Sequence, residues 1–285
     1  MTPPAPEEKT GRPVCHTGRR AFPTCGQSPT LVDMLQVHQF PCLSDNYGFL
    51  LHDPDSGETA CIDTPDAEEY LRQAGAKHWQ ITQIWNTHWH PDHAGGNEAI
   101  KAATGCSVVA PLVDAPKIPA VDRTVRDGDF VELGGHRAWV IDVGGHTMGH
   151  IAYHLPDSAI AFVGDALFAL GCGRMFEGTA PQFWDSLLRL RHLPVDTTLY
   201  CAHEYTASNA KFALHADPDN AALADYVREI EDKRAAGEPS VPFGLAREIA
   251  TNPFLRADDP AMQARWGGDV PYETFAALRS AKDNF

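Results

Sequence analysis

Residues 86–96 read NTHWHPDHAGG, which places three histidines and an aspartate within six positions. A neutral imidazole offers one lone pair and a carboxylate several, so a buried cluster of this kind needs a partner that carries positive charge. The residues just before it, QITQIWNTH, form an apolar run that reads as a buried strand leading into the cluster. Along an extended chain alternate side chains share a face, so His88 and His90 can converge on one point. A turn at Pro91 lets Asp92 and His93 face elsewhere, toward a second ion. With only 14 histidines in 285 residues, HxHxDH at a strand end points to a metal site rather than a chance surface cluster.

Outward from this stretch the chain alternates short strands and helices. YGFLLHD and ETACID flank the turn PDSG as a β-hairpin, and PDAEEYLRQAGA follows as a helix with acidic residues in its first turn. NEAIKAATG reads as a short helix, CSVVAP as a strand, DFVELGGHRAWVIDV as a second hairpin, and HIAYHL and AIAFVGD as further strands. PQFWDSLLRLRHL has helical periodicity and TTLYCAHEY is again a strand. Beyond Tyr205 the strands are expected to stop, with SNAKFALHA, NAALADYVREIEDKRAAG and YETFAALRSAKDNF as helices. The expected organisation is a mixed α/β domain over residues 34–205 and a helical region over 206–285. Residues 1–33, rich in Pro, Gly and Thr without apolar period, read as a disordered extension. They lack the apolar core of a secretory signal, and Glu7 and Glu8 argue against a mitochondrial presequence.

The composition narrows the partners. A formal charge of −15 disfavours general affinity for nucleic acid or an anionic membrane, so an anionic small substrate would need a local basic patch. Seven scattered cysteines without a CxxC pair read as reduced thiols, hence a cytoplasmic protein, and no run is long enough to span a bilayer.

A dinuclear site needs further donors at the ends of elements. His146 in GGHTMGH, Asp165 in FVGDALF and His203 in CAHEYT each sit just past a strand, where several strands can meet at one sheet edge. Asp165 taken alone could also be a helix cap, the lesser of the two readings. His150 and His154 suit supporting or packing roles, and His136 in a hairpin turn is expected to be solvent-exposed.

The set THWHPDH, GGHTMGH, GD and AHE resembles the metallo-β-lactamase superfamily, a four-layer αββα sandwich with a dinuclear site along one edge. Within it, GDALFALGCGRMFEGT, CAHEYTASNAKFA and TNPFLR with LRSAKDNF are similar to the glyoxalase II family, the hydroxyacylglutathione hydrolases, from about Met34 to Phe285. The resemblance implies that His88, His90 and His146 hold one metal, that Asp92, His93 and His203 hold the second, and that Asp165 bridges the two. All seven ligand types are present. The ions are two divalent metals, with zinc expected and iron or manganese suited to the same donors.

The implied reaction is hydrolysis of S-D-lactoylglutathione to D-lactate and glutathione, the second step of methylglyoxal detoxification, by a hydroxide activated between the metals, with Asp92 helping to orient it. The substrate-contacting positions correspond to Arg174, Phe176, Tyr205, Arg279 and Lys282; Arg174 stands where lysine is usual and Phe176 where some members carry tyrosine. Arg279 and Lys282, three apart on the last helix, would meet Arg174 and Tyr205 only if that helix folded back over the site edge. A monomer is expected. The rival readings are a mononuclear-iron persulfide dioxygenase, a lactonase, or a non-enzymatic redox-partner module of the same fold.

Overall fold

The computed structural model describes residues 1–2 and 35–285. The chain divides into two units, Met1–Leu31 and Val32–Phe285. The extension expected over 1–33 lies, apart from Met1 and Thr2, outside the described residues.

The second unit contains two six-stranded sheets. The first runs β1 (Gln36–Cys42), β2 (Asn46–His52), β3 (Glu58–Ile62), β4 (Gln80–Trp85), β5 (Ser107–Pro111) and β6 (Arg123–Val125), in that order. β1–β2–β3 are antiparallel and β3–β4–β5–β6 parallel. The parallel half is crossed by α1 (Ala67–Lys77), and α2 (Pro91–Ala94) and α3 (Asn97–Thr104) join β4 to β5. The second sheet contains β7 (Phe130–Leu133), β8 (His136–Asp142), β9 (Ile151–Leu155) and β10 (Ile160–Gly164). A two-residue ribbon follows, β11 (Leu167–Phe168) with β12 (Gly171–Cys172), then α4 (Ala180–Arg191) and β13 (Thr198–Cys201), which pairs parallel to β10.

Period-two alternation divides the first sheet between two cores. Phe49, Leu51, Ala60, Ile62, Trp85 and Val109 face the second sheet. Leu50, Cys61, Ile84 and Val108 face outward, under Tyr70 and Ala74 of α1 and Ile100 of α3. Asp66 caps α1 by accepting from the backbone N–H groups of Glu68 and Glu69. The Tyr70 hydroxyl then bolts the helix to the sheet, donating to the Ile62 carbonyl at 3.0 Å and accepting from Phe49 N at 2.9 Å. On the far side α4 adds Phe183, Trp184 and Leu187 to the large hydrophobic cluster that includes the residues of the second sheet, completing the αββα order.

The region after Tyr205 forms α5 (Thr206–Ala216), α6 (Ala221–Ala235), α7 (Leu245–Thr251), α8 (Pro260–Trp266) and α9 (Pro271–Asp283). The expectation that strands stop at Tyr205 is corrected by β14 (Phe243–Gly244), which pairs antiparallel with β13 and forms the edge of the second sheet. Two residues flanked by Pro242 carry too short a pattern to read as a strand. Phe275 and Leu278 of α9 pack with Phe183 and Trp184 of α4 in the same core as the sandwich; truncating such a side chain typically costs about 3–5 kcal/mol.

Candidate active site

Strand ends bring the predicted donors together. β4 ends at Trp85 and releases His88 and His90 into a loop, Pro91 opens α2 with Asp92 and His93 in its first turn, and the β8–β9 connection supplies His146. β10 ends at Gly164, directly before Asp165, and β13 ends at Cys201, two residues before His203. Gly164 has φ +48 and a Cβ there would stand 2.6 Å from Thr87 Oγ1 and 2.8 Å from His150 Nε2, so only glycine admits the turn that delivers Asp165.

Ring nitrogens of His88, His90 and His146 form one cluster: His88 Nε2 and His146 Nε2 lie 2.9 and 3.0 Å from His90 Nδ1. Asp92, His93 and His203 form a second, with both Nε2 atoms 3.5 Å from Asp92 Oδ2. Asp165 stands between them. Its Oδ2 is 3.4 Å from His146 Nε2, while its Oδ1 is 3.5 Å from His93 Nε2 and 3.4 Å from His203 Nε2.

The outer nitrogens decide which atoms hold protons. His146 Nδ1 faces the Arg174 carbonyl at 2.8 Å, and a carbonyl can only accept, so that nitrogen is the donor and Nε2 is the bare lone pair. His93 Nδ1 donates to Asp63 Oδ2 and His203 Nδ1 to Asp45 Oδ1, both at 2.8 Å. Thr87 Oγ1 donates to Asp63 Oδ2 at 2.8 Å and is thereby free to accept from His88 Nδ1 at 3.0 Å. With these four rings neutral, their inner lone pairs converge with the carboxylates of Asp92 and Asp165. His93 Nε2 and Asp165 Oδ1 are buried and lack any hydrogen-bond partner among the described residues. Cations are what this donor set fits.

The proton affinities differ between the two clusters. Burial first, then the neighbouring rings, holds His88 well below the usual histidine range, and burial likewise lowers His90 and His146, keeping their lone pairs available. His93 is pushed up to about 9: its burial opposes charge, but Asp165 and Asp63 outweigh it. Asp165 is held far below the carboxylate range although burial opposes this, because His203 and His93 flank it.

Asp45, Asp63 and Thr87 were not anticipated. Asp63 ends the strand ETACID, the one signal that could have found it; it also accepts from Thr87 N at 2.7 Å. Asn46 steadies Asp92 through Nδ2, 3.2 Å from Oδ2. His150 supports from behind, accepting from Asp165 N at 3.0 Å and stacking on His88 with ring centroids 4.6 Å apart. His154, buried on β9, lies outside both clusters. His136 is a correction: it begins β8 and is half-buried, with Nε2 3.8 Å from Asp53, whose buried carboxylate draws the ring in.

A cleft of about 600 Å³ opens beside the clusters and is lined by all five substrate-contact candidates. Tyr205 stacks face to face on His203 at 4.6 Å, and Phe176 sets its edge toward His90 and His146 while 62% exposed. Arg174 is exposed on the rim. Lys282 places Nζ 3.1 Å from Ser208 Oγ; burial, then the charges of Arg279 and Arg174, lowers its pKa. Arg279 is buried: Nη1 donates to the Cys172 carbonyl at 2.8 Å and Nη2 to Asp283 at 2.9 Å.

The sandwich and its histidine–aspartate edge are those of the metallo-β-lactamase superfamily, whose model matches residues 50–203. Among solved structures, ETHE1 from Myxococcus xanthus is similar with a TM-score of 0.60 and 26% identity, over 87% of this chain and 98% of that one. Residues 204–285 match the model described as the hydroxyacylglutathione hydrolase C-terminus. The chain is 69% identical over 252 residues to the hydroxyacylglutathione hydrolase of Erythrobacter litoralis, covering 88% of this chain and 100% of that protein. It is 59% identical over 254 residues to that of Hyphomonas neptunium, covering 88% and 99%. The chain belongs to the hydroxyacylglutathione hydrolase family.

Proposed function

We propose that the protein hydrolyses S-D-lactoylglutathione and related 2-hydroxyacyl-glutathiones to the hydroxy acid and glutathione. The carrying observation is Asp165 with one oxygen toward each donor cluster, at the head of a cleft with a cationic rim. His88, His90 and His146 would hold one divalent ion, Asp92, His93 and His203 a second, and Asp165 both, with zinc the expected metal. Such a pair acidifies a shared water and polarises a carbonyl.

The chain's own residues do the rest. Asp92 is open to the cleft and steadied by Asn46, so its carboxylate can take the proton of the attacking water. Water adds to the thioester carbon, the C–S bond breaks, and the thiolate leaves with the electron pair. A thiol pKa of roughly 8.5 lets it depart with little protonation, so the cleft need not supply a strong acid. The rim addresses the two carboxylates of glutathione. Arg174 and Lys282 would grip one of them and Phe176 and Tyr205 would flank the acyl–sulfur end. Arg279, whose guanidinium is already bonded within the chain, contributes by shaping the wall rather than by gripping.

On this reading residues 34–205 are the catalytic part and 206–285 the glutathione-binding part, a division supported by where the two family matches meet. Among the described residues Cys42, Cys61, Cys106, Cys172 and Cys201 are buried free thiols, which suits a reducing compartment such as the cytoplasm. Among the described residues no helix is long and apolar enough to cross a membrane. Metal analysis joined to an assay on lactoylglutathione tests the proposal: two metals per chain and thiol release are expected. One iron with oxygen consumption would instead establish the dioxygenase.

A further inference from the structure

The segment joining Asp165 to Arg174 is held from outside the cleft in an unusual way. Each of residues 168–172 gives a backbone group to a side chain of the helical region. Asn252 Nδ2 donates to the Phe168 carbonyl at 3.2 Å and the Gly171 carbonyl at 3.0 Å. Asn209 Nδ2 donates to the Ala169 carbonyl at 3.1 Å, and Arg279 Nη1 to that of Cys172. Leu170 N–H donates to Glu248 Oε2 at 2.8 Å, and the same oxygen accepts from Asn252 Nδ2 at 2.9 Å. Leu170 sits at φ +55, a left-handed conformation that a non-glycine residue adopts only when its surroundings over-determine it. Glu248 is fully buried, an expensive place for a carboxylate that took no other part in the fold.

What this segment carries explains the expense. It begins just after Asp165 and ends at the carbonyl that orients His146, and Phe168 and Cys172 line the cleft between them. Gly173 packs so closely that a Cβ there would stand 2.0 Å from the Asp165 carbonyl, so displacement of the segment passes directly to Asp165.

We propose that Glu248 and Asn252 are positioning residues for the thioester hydrolysis proposed above: they fix residues 167–173 so that Asp165 and the Arg174 carbonyl stay in register with the histidines. Neither touches the cleft. What matters at position 248 is a correctly placed acceptor, not its charge.

The test compares Glu248→Ala, Glu248→Gln and Asn252→Ser with the wild-type full chain. Asn252→Ser keeps a capping oxygen for Phe254 N and loses the reach to the two carbonyls. On lactoylglutathione, Glu248→Ala and Asn252→Ser should lower kcat by about 10–100-fold, the range for residues that orient metal ligands, with KM within roughly threefold. Glu248→Gln, whose amide oxygen can accept the same two bonds, should stay within about twofold of wild type. Hydrogen exchange supplies a readout independent of turnover. The Leu170 amide should exchange at least ~10-fold faster in Glu248→Ala, with Leu199 in β13 unchanged, as in local opening. Should Glu248→Ala not fold, Asn252→Ser and Glu248→Gln carry the test. Folded Ala and Ser variants with wild-type kcat, or a Gln variant as impaired as Ala, would overturn the proposal. An inactive wild type would instead break the functional reading, leaving the exchange data to judge the clamp.

Discussion

His88, His93, His146 and His203 each turn the outer nitrogen to a bonded partner, whereas on the rim of the same cleft Arg174 leaves 65% of its side chain and Phe176 62% of its surface exposed. The donor edge is tied down twice over, by strand ends and by a second layer of oxygens. At Arg174 and Phe176 the rim is tied down hardly at all. Groups that hold ions must keep their lone pairs aimed before the ion arrives, while groups that grip a flexible peptide can close on it. Changes at the edge should therefore act on turnover, and changes at the rim on substrate capture.

Asp165→Ala strikes hardest. Bound metal, read by elemental analysis, should fall well below two per chain and kcat should drop on the order of 10³-fold or more. Full occupancy with ordinary turnover would detach Asp165 from the edge.

Beneath the rim, Glu248 carries a stability effect of roughly a hundredfold. Burial raises its pKa from 4.5 to about 7. The folded state therefore keeps a proton that the unfolded chain has released, and the stability this represents is present below pH 4.5 and lost as pH rises through 7. The size is about 3 kcal/mol for the shift. Glu248→Gln has no such loss, so its advantage over wild type in urea unfolding should grow from pH 5 to pH 8. A constant difference would place a charged carboxylate there throughout.

Asp63→Asn tests the second layer. It removes the charge that Thr87 and His93 both lean on and should cost about 10–100-fold in metal affinity or kcat, by chelator competition and assay. A change confined to KM would erase the contrast between edge and rim.

Lys282→Ala is the mildest change. Loss of one charge-assisted hydrogen bond, roughly 1.5 kcal/mol, should raise KM for lactoylglutathione about tenfold at near-constant kcat. On a small thioester lacking the peptide it should do nothing; equal effects on both would place Lys282 in the chemistry.

The gathering of the histidine and aspartate donors was largely legible because its signal is local. Two histidines at strand spacing and an aspartate–histidine pair after a proline carry their geometry with them, and the remaining candidates followed apolar runs ending at a polar residue. Asp45, Asp63 and Thr87 were not legible as partners, since one aspartate in SDNY or one threonine before a histidine looks like any turn residue until the fold closes. Arg279 shows the limit most plainly. It lies four residues after Phe275, on the stripe that α9 buries, and a charge in that register has to find partners within the chain. The helical period could be read, but which stripe faced the sandwich and which the cleft depends on packing between distant segments. β14 escaped for the same reason, its two residues being a strand only because β13 lies alongside.

That short strand has a consequence for protein engineering. Exchanging everything after Tyr205 for a helical cassette from another superfamily member, to graft on a new specificity, would also strip the edge from the second sheet. The hydrogen-bonding backbone of Thr198 and Leu199 would be bared, and with it an invitation to pair with another chain. A chimaera that folds cleanly must bring its own Phe243–Gly244 equivalent, so the seam between the two families of parts lies inside the sheet and not at the linker.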